Sequence, residues 1–197
     1  MGFFQGLWKR SRNNANKMEV DSVAINSLSS AYIALETKLF LKSTGRTAVC
    51  IKRASIPQFN DMKQEIEKFL ETSKVDFDLS FRTVVDSYDY LWIVILSKTI
   101  EDNVAAITSI GDTIDQKGFS DRLLASVFEF NSGIFTEYLI YNYKIDKFYP
   151  FVPTDEKQKK RNHSEELKIM TALSGEKLPF EKDMSRWYPI WSIPLGI

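Results

Sequence analysis

Residues 90–96 read YLWIVIL, a run that is apolar whichever way its side chains point. An extended segment sends alternate side chains to opposite faces of a sheet, so a run apolar on both faces must be covered on both. That segment calls for a central strand with a packed layer on each side, and the rest of the chain has to supply those layers.

Around it the order strand, turn, strand, helix is read three times. In the first pass Ile33, Leu35, Thr37 and Leu39 alternate with Ala34, Glu36 and Lys38, which predicts a strand after a short helix from about Asp21 to Ser29. The turn Ser43-Thr44-Gly45-Arg46 leads to a second strand, 47–52, and Ser55 and Pro57 suit a helix start. Phe59, Met62, Ile66 and Phe69 then form one helical stripe. In the second pass a strand through Leu79, Phe81 and Val85 reaches YLWIVIL by the turn residues Asp86-Ser87-Tyr88-Asp89. A helix with the stripe Val104, Ile107, Gly111 and Ile114 follows and stops at Lys117-Gly118. The third pass runs 122–130, turns at Asn131-Ser132-Gly133 and returns over 134–143. A further extended piece covers 147–152, and Asn162 with Glu165 forms a capping box for a helix through Leu173. The closing SRWYPIWSIPLGI has two prolines and two tryptophans, so it reads as an apolar strap docked on the body.

This order predicts the α+β class: a twisted antiparallel sheet built from three β-β-α units, with helices mainly on one face. Residues 21–197 are expected to form a single domain, and residues 1–20 a basic amphipathic segment and linker.

Charge is divided along the chain. Residues 1–17 carry Lys9, Arg10, Arg12 and Lys17 and no acid, a formal +4, which leaves −4 on the remainder because the whole chain is neutral. A mildly acidic body is a poor nucleic-acid binder, since backbone affinity comes from neutralised phosphates. Cys50 is the single cysteine, which excludes an intrachain disulfide and points to a cytoplasmic compartment. No apolar run approaches the ~20 residues that span a bilayer. Residues 3–8 are too short for a secretory signal, and basic residues follow them instead of preceding them.

Catalytic chemistry is nearly silent. His163 is the only histidine and sits in the polar run DEKQKKRNHSEE, with no second imidazole or thiol nearby for a triad or a metal set. It reads as a solvated helix-start residue. Cys50, inside a predicted strand, reads as a core thiol. Phosphate-cradle, nucleophile-elbow and zinc-helix motifs are missing, and no cofactor or metal is expected. The stretch YLIYNYKIDKFYPF suits strands on composition alone, and KQKKR suits a solvated loop. An alternative use of Tyr138, Tyr141, Tyr143, Phe148 and Tyr149 is a protein-binding groove or a homodimer face, where aromatics are enriched.

At the start of the chain, Phe3, Phe4, Leu7 and Trp8 share one helical face, and Lys9, Arg10 and Arg12 follow at once. That is the composition of an interfacial anchor, rings toward lipid and cations toward anionic headgroups. Burying four such side chains yields roughly 6–12 kcal/mol, and partial insertion about half. Each basic residue adds about 1 kcal/mol near an anionic surface, and ordering about ten residues costs around 10 kcal/mol. The terms nearly cancel, so three readings stand: reversible membrane contact, contact with a partner, or a segment folded back on its own body.

Several segments together carry a family resemblance: MGFFQGLWKR, STGRTAVCIK, DSYDYLWIVI, GFSDRLLASVFEFNSG, YLIYNYKIDKFYPFVP and DMSRWYPIWSIPLGI. In this order they resemble the PspA-associated protein PspAB family of archaea and actinobacteria, over nearly the whole chain. The resemblance implies a place in the phage-shock envelope-stress system beside PspA, a membrane-remodelling coiled-coil protein, and an HtpX-like membrane metalloprotease. It carries no catalytic residue set. The strand-strand-helix pattern also looks like the type III secretion chaperone fold, whose small domains bind proteins and often dimerise. The expected function is therefore a non-enzymatic cytoplasmic adaptor, binding a PspA-like or HtpX-like protein and the inner membrane surface. An enzyme with a site assembled across the fold, or a weak nucleic-acid binder, is the alternative.

Overall fold

The computed structural model describes residues 22–196. Phe3, Phe4, Leu7, Trp8, Lys9, Arg10 and Arg12, and the linker after them, lie outside the described residues.

The first element corrects the first pass. Ser22–Leu39 is one continuous helix, α1, where the alternation of Ile33, Leu35, Thr37 and Leu39 predicts a strand. Ala24, Ile25, Leu28, Ala31 and Leu35 are buried, a 3.6-residue repeat, whereas Ile33 is exposed. Leu35 serves the helical stripe, and the apparent period of two follows from Ile33 and Thr37 flanking it on the solvent side. Phe40 ends the helix in a left-handed conformation (φ 56°), its N–H donating to Glu36 O at 3.1 Å.

The remaining elements follow the predicted order. They are β1 (Lys42–Lys52), α2 (Pro57–Phe77), β2 (Ser80–Val85), β3 (Tyr90–Leu96), α3 (Ile100–Gln116), β4 (Leu123–Asn131), β5 (Thr136–Asn142), β6 (Lys147–Phe151), the small hairpin β7 (Pro153–Asp155) and β8 (Lys160–Arg161), and α4 (His163–Leu173). The large sheet is antiparallel throughout, in the order β2-β3-β1-β4-β5-β6. Local sequence explains the joints. Asp86 Oδ1 accepts from the N–H groups of Tyr88 and Tyr90 and closes the β2–β3 turn. Thr99 caps α3 through Asp102 N–H, and Asn162 caps α4 through Glu165 N–H at 3.2 Å, as the capping box predicts. Gly118 leaves α3 at φ 77°.

The register sorts the core into two layers. Val49, Ile51, Ile93 and Ile95 face the helices, and Ala48, Cys50, Trp92 and Val94 face the other way. YLWIVIL is thus covered on both sides, as it requires. Over the first face the helices pack in the order α2, α3, α1, α4. Over the second face runs the C-terminal segment, with Trp187, Ile190 and Leu195 buried against the sheet. It crosses from β6, where Tyr149 Oη donates to Tyr188 O at 2.8 Å, to β2, where Arg82 holds the carbonyls of Pro194 and Gly196. Three large side chains sealed at roughly 2 kcal/mol each hold this segment more than its few hydrogen bonds do.

Candidate protein-docking surfaces

The aromatic hairpin is core. Tyr141, Tyr143, Phe148 and Tyr149 are all buried, and only Tyr138 is half-exposed. Tyr141 meets Tyr143 edge-on with centroids 5.0 Å apart and lies 4.9 Å from Phe148. The Tyr143 hydroxyl pairs with Ser126 Oγ at 2.7 Å. Burial raises the phenol ionisations of Tyr143 and Tyr149 far above their usual value. The expectation that these five rings form an open groove or a dimer face is corrected for four of them. Strands β5 and β6 are covered on both faces, so rings on either side fill the interior. Tyr138 stacks on Phe151 at 6.2 Å, with its hydroxyl 3.4 Å from Glu129 Oε2. Glu129 also accepts from Thr44 Oγ1 and Arg46 Nη1 at 2.8 and 3.2 Å, forming a compact polar knot beside the C-terminal segment.

The polar run before α4 hides an ion pair. Arg161, read in sequence as part of a solvated loop, turns inward: its Nε lies 2.7 Å from Glu166 Oε1, with side chains 10% and 0% exposed. Glu166 Oε1 also accepts from Val152 N–H at 2.9 Å, and Arg161 reaches the carbonyls of Trp187 and Pro150. The pair therefore pins α4, β6 and the C-terminal segment to one another. His163 Nδ1 lies 3.0 Å from Glu166 Oε2, and the ring is 61% exposed. A buried carboxylate behind an exposed imidazole resembles a general-base dyad. Here Oε1 of the carboxylate is held by Arg161 and the Val152 N–H, and the partner of Oε2 is the imidazole itself, so Glu166 serves first as a structural anion. The spacing gave no hint of this pair, because Arg161 and Glu166 meet only across the turn into the helix. Cys50 is fully buried, and burial, then the charge of Asp86, push its thiol ionisation upward, which makes it inert. Among the described residues no cluster of His, Cys, Asp and Glu could hold a metal ion, and no helix is long and apolar enough to cross a membrane.

Exposed apolar side chains stand on the helices and also at Val85, Tyr88, Ile134 and Met184, at a strand end, two turns and the C-terminal segment. Ile33 and Phe40, seven residues apart on α1 and its cap, are 66% and 76% exposed, and Thr37 stands between them. Ile33 and Thr37, at i and i+4, are neighbours on the helix surface, and Phe40 follows on its left-handed cap. Between α2 and α3 a hollow of about 200 Å³ is lined by Phe69, Ser73, Phe77 and Leu79 on one side and Asp102, Ala105, Ala106 and Ser109 on the other. Phe69, expected in the core stripe, rims this hollow instead, because Leu70 takes the buried position. A second, shallower groove separates α1 from α4, with Lys38 and Lys168 at its edges and Leu39 and Leu167 within it. Metabolite sites usually enclose 300–1,000 Å³ with convergent polar groups. The α2–α3 hollow is below that range and suits side chains of a polypeptide; the α1–α4 groove, about 490 Å³, reaches it in volume but lies open to solvent.

A family model described as PspA associated protein B matches residues 1–195, nearly the entire chain. No curated protein and no solved structure matches it.

Proposed function

The chain belongs to the PspA associated protein B family, and from that premise we propose that it is a non-enzymatic accessory protein. It docks a PspA-like, coiled-coil partner on the exposed ridge of α1 while residues 3–12 rest on the membrane surface. The observation that carries the partner site is Phe40. A left-handed backbone costs an L-residue about 1–2 kcal/mol, and glycine is the usual occupant of a helix-ending position of this kind. Here a phenylalanine takes that cost and then leaves its ring in water. Such a residue is retained for contact rather than for folding. An exposed isoleucine on a helix with an aromatic ring at its end offers apolar anchors of the kind that another amphipathic helix recognises.

Phe40→Gly separates the two roles. Relief of the left-handed strain favours the variant, and glycine's greater freedom in the unfolded chain returns about 0.4–1 kcal/mol. The expected net effect on urea-denaturation stability lies between zero and about 1 kcal/mol of gain. Loss of an aromatic anchor should weaken capture of a purified PspA-like partner at least about tenfold. Unchanged affinity in the folded variant removes the ridge as the docking site.

The membrane contact is supported by the +4 leader on a −4 body. Reversing Lys9, Arg10 and Arg12 to glutamate removes at least about 3 kcal/mol of attraction to an anionic surface. Co-sedimentation with vesicles rich in anionic phospholipid is expected to fall roughly a hundredfold. Equal sedimentation of the two chains would dismiss the contact.

A further inference from the structure

We propose that, when no membrane is bound, the groove between α2 and α3 seats this chain's own leader, residues 3–12, as a basic aromatic plug. The inference goes beyond the partner and membrane reading and does not depend on it.

Charge picks the groove. Helix α3 carries Glu101, Asp102, Asp112 and Asp115 and no basic residue, and α2 carries five acidic side chains against three basic ones. The two helices together hold −6, more than the whole −4 of the chain outside its first 17 residues. The acidic excess of the body is therefore carried on the two helices that flank the hollow, with Asp102 in its lining, and Glu65, Glu67 and Glu71 paired with Lys117, Lys63 and Lys74. Asp112 stands exposed on α3, with its ionisation raised by desolvation and by Asp115, a local surplus of negative charge. The α1–α4 groove is the competing seat, and its edges are Lys38 and Lys168, paired with Glu176 and Glu165, so it offers a basic segment no acidic excess.

Shape agrees with charge. A hollow of about 200 Å³, floored by Ala106 and Leu79 and rimmed by Ala105, Phe69 and Phe77, is too small for most metabolites but takes one or two large side chains. Phe3, Phe4, Leu7 and Trp8 offer that type of side chain on one face, with Lys9, Arg10 and Arg12 next to them for the acidic rim.

The attachment point is close. Helix α1 begins at Ser22, and one turn later Asn26 Oδ1 accepts from Thr108 Oγ1 of α3 at 3.2 Å. Thr108 is the neighbour of Ser109, which lines the hollow. The leader thus joins the body beside α3 and has only that one helix to cross, about 10 Å. Residues 13–21 can extend about 30 Å.

The seat is tested in the full-length chain by disulfide trapping, leaving the buried Cys50 in place. Leu7→Cys is paired with Ser109→Cys in the proposed seat, or with Leu167→Cys in the competing groove. Under oxidised glutathione the intramolecular bond to position 109 is expected to form at least tenfold faster than that to position 167. Adding Glu101→Lys and Asp112→Lys, or 1 M salt, which shortens the screening length to about 3 Å, should slow it severalfold. Equal rates at the two positions overturn the proposal. So does a product that joins two chains only, which would assign the groove to a second copy. Failure of vesicle binding leaves this result untouched, so the two readings fall separately.

Discussion

Glu166→Ala is expected to cost about 3–5 kcal/mol of folding stability, a large share of the 5–15 kcal/mol available to a domain. The loss follows from what the carboxylate leaves behind. Arg161, only 10% exposed, keeps its charge and retains two carbonyls, Trp187 O at 2.7 Å and Pro150 O at 3.3 Å, with the Phe151 ring 5.0 Å below its guanidinium. Those partners orient the cation but do not neutralise it. The Val152 N–H loses its acceptor as well, inside the fold. With a urea slope of about 2 kcal/mol per molar, the midpoint should drop by roughly 2 M. Glu166→Gln keeps the shape and an oxygen for Val152 while removing the charge, so its cost should fall in between. The double change Arg161→Met with Glu166→Leu removes both charges at once and should recover most of the loss, because desolvation of a buried pair offsets much of its attraction. A double variant as unstable as Glu166→Ala would show that the hydrogen-bond frame, not the uncompensated cation, carries the effect.

The same region shows where sequence reading stops. The run DEKQKKRNHSEE announces a helix cap correctly, since Asn162 and Glu165 are local partners. It gives no sign that Arg161 and Glu166 are buried, because their burial comes from the C-terminal segment arriving from outside that window. YLWIVIL was legible because its apolar faces are a property of seven consecutive residues. The α1 stretch misled because Ile33, Leu35, Thr37 and Leu39 satisfy a period of two over a short window. The 3.6 repeat shows only when Ala24, Ile25, Leu28 and Ala31 are read with them. The aromatic hairpin was legible as strands, but rings that could serve a core or an interface look alike until the second layer is placed. The α2–α3 hollow depends on a single shift of the buried stripe from Phe69 to Leu70, one residue in a helix that the pattern otherwise places well.

A second large effect is expected at Gly45, which sequence reading places in a turn between strands and the structure places inside β1, at an irregularity in its pairing with β4. Its φ is 77°, and a Cβ there would overlap the backbone carbonyl oxygen of Ser97. Gly45 O accepts both Ser97 N–H at 3.0 Å and the Asn103 amide at 2.9 Å, and Asn103 in turn accepts from Ser97 Oγ at 2.9 Å. Asn103 is fully buried on α3, so this knot joins β1, the end of β3 and the start of α3. Gly45→Ala has to separate backbone from backbone, with no flexible side chain to give way. The left-handed conformation alone costs about 1–2 kcal/mol, and each buried group deprived of its partner adds about 1–3. A loss of about 3–5 kcal/mol by urea denaturation is expected. Gly133→Ala supplies the comparison: its φ is 86°, but nothing lies within 4 Å of the added carbon, so only the conformational cost of about 1–2 kcal/mol applies. The difference between the two variants measures the contact between β1 and Ser97. Equal losses would mean that backbone handedness, and not this close approach, is why glycine stands at position 45.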